Sequence, residues 1–355
     1  MSFPLWRPAA GRRHATAFPA STLRAAAGAV VALALATACG GGGGGESATA
    51  PAGPTRLMLT TSLPALVGSR EGRYEAWAED RSGAFHSLGR FDAGGTVTLA
   101  TPATGTANVV VTVEPPGDAD ALPSEQVVLR GALVGDRAEL RYEGAITQSD
   151  LPLLAAPGQF TMFSPSDNDS LGYPSHEEAG IWLFNMDPAR TAQKDYYVRV
   201  TQLQRGWTYE GWMVRDLGQT SEIWLSYGKF VPDWTGALNQ PDDTGWGPFS
   251  GVLDFRRARL EDFPGDDWIS NPLHLPWPAE LTLPLNLREK DAQGRLRWSH
   301  VITIEPASDR GEPIGAERPF FLRPYVDPFG DLPPGVARTI TFHPETLPHG
   351  SATVQ

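Results

Sequence analysis

The sequence predicts an all-β protein, and three observations carry that expectation. Gly and Pro number 38 and 32 among 355 residues, a density of turn formers that breaks helices and favours many short strands. Two runs of branched residues, Val109-Val110-Val111-Thr112-Val113 and Val301-Ile302-Thr303-Ile304, both end in Glu-Pro, and a Pro without an N–H stops a hydrogen-bonded ladder. Beyond residue 54, no segment keeps a helical period over three turns without a breaker. Further strand candidates lie at 57–61, 127–133, 138–142, 181–184, 197–203 and 338–342, separated by clusters of Gly, Pro, Asp and Asn. The expected architecture is two tandem immunoglobulin-like β-sandwich domains, each near 100 residues before insertions.

The first elements are not part of that fold. Residues 1–24 carry Arg7, Arg12, Arg13 and Arg24 and no acid, and the apolar run AAAGAVVALALATA follows at 25–38. A basic start, an apolar stretch too short to span a bilayer and small residues at its end read as an export signal. The single Cys comes directly after, in Leu35-Ala36-Thr37-Ala38-Cys39, which resembles a bacterial lipobox. Residues 1–38 are thus expected to be a lipoprotein signal peptide and Cys39 the lipid attachment site. Residues 39–54, with six glycines at 40–45, are expected to be a flexible tether. Gly40 rather than Asp after the Cys points to outer-membrane retention in a Gram-negative cell.

Composition excludes several functions. Asp and Glu number 41 against 29 Lys and Arg, with only three Lys, so no basic face for nucleic acid is expected. Signal cleavage would remove four Arg and no acid, which makes the mature chain still more acidic. One Cys excludes an internal disulfide framework and a thiolate zinc site.

The remaining chain repeats itself. Tyr74-Glu75-Ala76-Trp77 returns as Tyr209-Glu210-Gly211-Trp212. Ser87-Leu88-Gly89-Arg90-Phe91 returns as Ser226-Tyr227-Gly228-Lys229-Phe230. Thr112-Val113-Glu114-Pro115 with Asp118 returns as Thr303-Ile304-Glu305-Pro306 with Asp309. Three boxes in the same order predict two copies of one domain, at 55–158 and 159–345, with 346–355 as a tail. The second copy carries an insertion at about 231–280 that holds Trp234, Trp246, Trp268 and Trp277.

This combination of boxes resembles the extracytoplasmic C-terminal domain of the anti-sigma-K factor family. The resemblance is strongest over 57–144 and extends to the second copy. In that family the domain stands outside the membrane, joined by a transmembrane helix to a cytoplasmic part that holds a sigma factor. Neither that helix nor that part is found here, so the resemblance implies an envelope sensing or protein-interaction module without direct sigma factor contact. Its motif residues Tyr74, Glu75, Trp77, Gly89, Phe91, Glu114, Asp118, Tyr209, Glu210, Trp212, Gly228, Phe230, Glu305 and Asp309 are expected to be structural.

Candidate chemistry is sparse. The Glu114/Asp118 and Glu305/Asp309 pairs have the residue types of acid catalysis, which needs two carboxyls across a cleft, but they sit where a strand-ending turn would use them. Asp167, Asp169 and Glu178 outline a calcium loop, yet Leu171 occupies a ligand position and Pro174 interrupts the loop; a solvated connector is the better reading. No His pair has metal spacing, and no Gly-x-Ser-x-Gly or phosphate loop occurs. The expectation is therefore a non-catalytic protein with no cofactor. Its envelope protein partner would dock on Trp234, Trp246, Trp268 and Trp277, exposed Trp being a common anchor at interfaces. The alternative is a surface glycan or cell-wall binder using the same Trp residues, and a hydrolase using Glu305 or Asp266/Asp267 ranks below both.

Overall fold

A computed structural model describes residues 56–100, 102, 104–164, 176–183, 198, 200–232, 238–239, 265–271, 274–307 and 318–355. The described residues fall in one compact unit, Ala52–Gln355, and are almost entirely strand and turn. The strands are β1 (Leu57–Thr61), β2 (Arg73–Asp80), β3 (Phe85–Phe91), β4 (Gly95–Leu99), β5 (Thr106–Glu114), β6 (Val127–Ala132), β7 (Arg137–Arg141), β8 (Gly158–Met162) and β9 (Gly180–Trp182). They continue with β10 (Trp207–Arg215), β11 (Ile223–Pro232), β12 (Leu238–Asn239), β13 (Gly265–Asp267), β14 (Trp298–Pro306), β15 (Leu322–Pro328), β16 (Arg338–Ile340) and β17 (His349–Val354). One helical turn, α1 (Leu151–Leu154), follows β7. All the pairings are antiparallel, so the all-β expectation holds.

Three sheets result. Eight strands run in the order β3-β2-β5-β6-β7-β17-β1-β4, five in the order β12-β11-β10-β14-β15, and four in the order β13-β9-β8-β16. The eight-stranded sheet curls so that its two end strands approach, the Ala100 N–H just beyond β4 donating to the Leu88 carbonyl of β3 at 3.0 Å. The alternation of β1 places Leu57 and Leu59 inward, as a period of two requires. They join a continuous buried core that includes Tyr74 and Val111 from the first half and Tyr209, Phe230 and Ile302 from the second. Phe160 and Ile181 of the four-stranded sheet belong to the same core.

Two expectations need correction. Residues 346–355 are not a tail: β17 lies inside the eight-stranded sheet, paired with β1 on one side and β7 on the other. Residues 200–203 form no strand. There the Thr201 carbonyl accepts from the Tyr209 hydroxyl at 3.2 Å, and the Gln204 N–H donates to the Ala145 carbonyl. The backbone groups are thus satisfied outside a ladder.

Candidate functional site

The repeated boxes fold into two three-strand units, β3-β2-β5 and β11-β10-β14, that share their contacts. In each, the second box is a β-bulge. Ala76 pairs with Gly89 and Trp77 with Ser87, which leaves Leu88 as the extra residue; Gly211 pairs with Gly228 and Trp212 with Ser226, which leaves Tyr227. Gly89 and Gly228 have φ of 134° and 108°, a backbone state that L side chains avoid. That explains the fixed glycine of the box.

The inner face stacks aromatics. Tyr74 lies on Phe91 with ring centroids 5.3 Å apart, and Tyr209 on Phe230 at 5.5 Å. The outer face carries a relay. The Trp77 indole N–H donates to the Thr112 hydroxyl at 2.8 Å, and that hydroxyl donates to Glu114. The Trp212 indole donates to Thr303 at 2.9 Å, and Thr303 to Glu305 at 2.5 Å. Each Glu then ties down the chain that returns to its sheet, Glu114 accepting from the Ser124 N–H at 3.1 Å and Glu305 from the Phe320 N–H at 2.7 Å. A buried indole N–H and hydroxyl are satisfied in one chain of bonds. Thr112→Val and Thr303→Val are each expected to cost about 1–3 kcal/mol, because the indole keeps its burial and loses its acceptor. Urea unfolding followed by Trp fluorescence checks this, and an unchanged midpoint in both variants would remove the relay from the stability argument.

Glu75 and Glu210 hold the bulges from the neighbouring strand. Glu75 accepts from the Ser87 hydroxyl and from Arg90 Nε at 2.6 Å, while Arg90 Nη2 reaches Asp118 at 2.6 Å. The two carboxylates together raise the Arg90 pKa, its hydrogen bond to Glu75 leading. In the second unit the Ser226 hydroxyl donates to Glu210 at 2.8 Å. Asp309, the counterpart of Asp118, lies outside the described residues. Burial raises the Glu114 carboxyl above the ordinary carboxylate range, and the charges of Asp118 and Glu75 add to this; the bonds from Thr112 and Ser124 oppose it. Glu114 and Glu305 are 1% and 0% exposed, so in this arrangement neither side chain opens to a substrate.

The Trp candidates separate. Trp268 is 0% exposed and part of the central core; its backbone N–H donates to the Ala179 carbonyl and its backbone carbonyl accepts from the Leu285 N–H. Its expected role as an exposed docking residue is therefore corrected: a partner cannot reach it. Trp277 is half-buried, packs on the same core and donates its indole N–H to the Leu281 carbonyl at 2.9 Å. Trp234 and Trp246 lie outside the described residues, as do Asp167 and Asp169. Glu178 is partly buried, and its carbonyl accepts from the Leu287 N–H. Among the described residues no group of three His, Cys, Asp or Glu is placed to hold a metal. Asp266 and Asp267 are buried in β13 against β9.

Two features escaped the sequence reading. Arg297 bridges Asp216 (2.8 Å from Nε) and Glu289 (2.9 Å from Nη1), and Arg215 grips Glu289 with two bonds of 2.8 and 2.7 Å. Asp216 and Glu289 are held below the carboxylate range by these arginines, Arg297 leading for the first and Arg215 for the second. The second feature is the outer face of the second unit. Strand register sets Val214 and Val326 where the first unit has Glu79 and Arg130, an ion pair at 2.8 Å. With Leu217 and Trp224, the two valines form a small apolar cluster around Trp212. A groove of about 400 Å³, lined by Arg141, Tyr142, Ile146, Leu151, Leu347 and His349 among others, borders none of the sequence candidates.

A family model described as anti-sigma-K factor rskA, C-terminal, matches residues 5–127. The match runs through the first three-strand unit and ends at the first residue of β6. No curated protein and no solved structure matches the chain.

Proposed function

We propose that this chain is an exported lipoprotein, anchored through Cys39, that serves as a non-catalytic sensing or protein-interaction module of the bacterial envelope. Its two three-strand units would be two copies of the extracytoplasmic domain found in anti-sigma-K factors, without a sigma-binding part. The observation that carries this reading is the match over residues 5–127, joined to the recurrence of the bulge, the aromatic stack and the Trp–Thr–Glu relay in the second unit. The partner is an envelope protein, docked on the second unit. Half-buried Val326 and Trp224 support that choice: they lie over buried Val214 where the first unit carries the Glu79–Arg130 ion pair, and the Arg323 guanidinium stands 4.5 Å from the Trp224 ring, aromatic residues and Arg being enriched at interfaces.

The test is photo-crosslinking in cells with a photoreactive residue at Trp224 of the native lipoprotein and a control at exposed Ser69. A discrete envelope protein captured at Trp224 and not at Ser69 is the expected result. Adducts with wall glycan alone would replace this reading with the glycan-binding one, and adducts no greater than the control would remove the docking face. Separately, Cys39→Ser is expected to move the chain from the membrane to the soluble fraction.

A further inference from the structure

The six residues of β17, His349–Val354, occupy a slot that the rest of the sheet leaves open. Among the described residues after Arg141, where β7 ends, nine strands lie in the other two sheets and only β17 returns to the first. Without β17 the eight-stranded sheet is two pieces, β3-β2-β5-β6-β7 and the ribbon β1-β4. β17 is held mainly by its backbone: five residues pair with β1 and five with β7. Beyond the strand, Arg56 and Gln355 exchange two N–H···O bonds of 2.9 and 2.8 Å. Four of its residues, from Gly350 to Thr353, are small; Ala352 is fully buried, at 1% exposure, and Val354 packs half-buried against the core.

These are the properties of a strand bound by β-augmentation, in which main-chain bonds give affinity and a few side-chain positions give specificity. Two positions supply that specificity. A Cβ at Gly350 would lie 2.5 Å from the Thr60 carbonyl oxygen, so only glycine fits there, and Ala352 fills a closed position beside Leu59. The slot is therefore matched to this sequence. The link that precedes the strand is short and carries Pro344 and Pro348. A strand that enters its sheet alone on a short, stiff link satisfies the same bonds in its own chain or in another, which is the condition for exchange between protomers.

We propose that the slot between β1 and β7 is a strand-acceptor site whose occupant can be β17 of a second copy of this chain. Exchange joins two copies with no new interface, since every ladder bond of the closed monomer is remade across chains.

Thr60 and Ser351 are register partners and both exposed, and facing antiparallel residues lie within disulfide reach. Full-length chains carrying Cys39→Ser with either Thr60→Cys or Ser351→Cys are mixed in urea, refolded together at high concentration and oxidised. A dimer linked 60 to 351, several-fold above a control in which Ser69→Cys replaces Thr60→Cys, is the expected result. The double variant Thr60→Cys/Ser351→Cys in one chain checks the geometry by closing within the monomer. If that monomer closes while the mixed chains give dimer only at control level, the strand does not exchange and the proposal falls.

Discussion

Gly211→Ala is expected to cost the fold about 3 kcal/mol or more, although it adds one methyl group. The reason is the bulge of the second unit. Tyr227, its extra residue, lays its ring over Gly211, and a Cβ there would fall 1.6 Å from the ring Cζ. The ring cannot turn aside freely, because it is 0% exposed and its hydroxyl lies 2.9 Å from His300 Nε2. The first unit solves the same geometry with other residues. By strand register, Ala76, Leu88 and Val109 stand where Gly211, Tyr227 and His300 stand in the second. A shorter bulge residue leaves room for a methyl group, and an apolar partner needs no hydroxyl. The triple variant Gly211→Ala/Tyr227→Leu/His300→Val is accordingly expected to recover most of the loss, to within about 1.5 kcal/mol of the parent, as volume-conserving exchanges do. Urea unfolding of the single and triple variants measures both quantities. A loss below about 1 kcal/mol for Gly211→Ala would mean the core yields around Tyr227, and a triple variant no better than the single would break the equivalence of the units.

Much of this architecture is legible in the sequence. Two Glu-Pro endings mark where β5 and β14 stop, and the three boxes return as strand units with the same bulge and the same stacked rings. The boxes are readable because each is local: the glycine, the small hydroxyl residue and the acid act within a few residues or on the next strand. β17 is not readable in this way. Its sequence HGSATV alternates only faintly, with Ala352 and Val354 the apolar residues that meet the core, because its place is held largely by backbone bonds to two strands far earlier in the chain. The same distance hides the Asp216–Arg297 contact, whose members stand 81 residues apart. Trp268 misleads for a different reason. A Trp among turn formers has the same pattern whether it meets solvent or core, and only the packing of residues near Ala179 and Leu285 around it decides. Val214 and Val326 pass unnoticed because a valine in a strand is ordinary; their meaning comes from the ion pair at the same positions in the other unit.

His300 makes the stability of the protein depend on pH over a defined range. The ring is fully enclosed, meets the edge of Phe160 at 4.3 Å between centroids, and finds no hydrogen-bond partner for Nδ1 among the described residues. Burial alone lowers its pKa to about 3, against about 6.5 for an unfolded chain. Between those values the unfolded chain binds a proton that the folded one refuses. His300 therefore leaves stability untouched above pH 6.5 and subtracts from it as pH falls towards 3, at about 1.4 kcal/mol per unit. By pH 4.5 the loss is about 3 kcal/mol, a large share of the stability of an ordinary domain. His300→Gln, neutral at every pH and still able to meet the Tyr227 hydroxyl, is expected to flatten the dependence between pH 6.5 and 4.5. The carboxylates titrate alike in both proteins, so the difference between the two urea midpoint profiles isolates the ring. Tyr227→Phe distinguishes the cause: if burial depresses the pKa, removing the hydroxyl lowers stability at every pH and leaves the slope in place. Parallel profiles for the parent and His300→Gln would show instead that the ring takes up its proton in the folded state, which requires the Phe160 side of the core to open without unfolding.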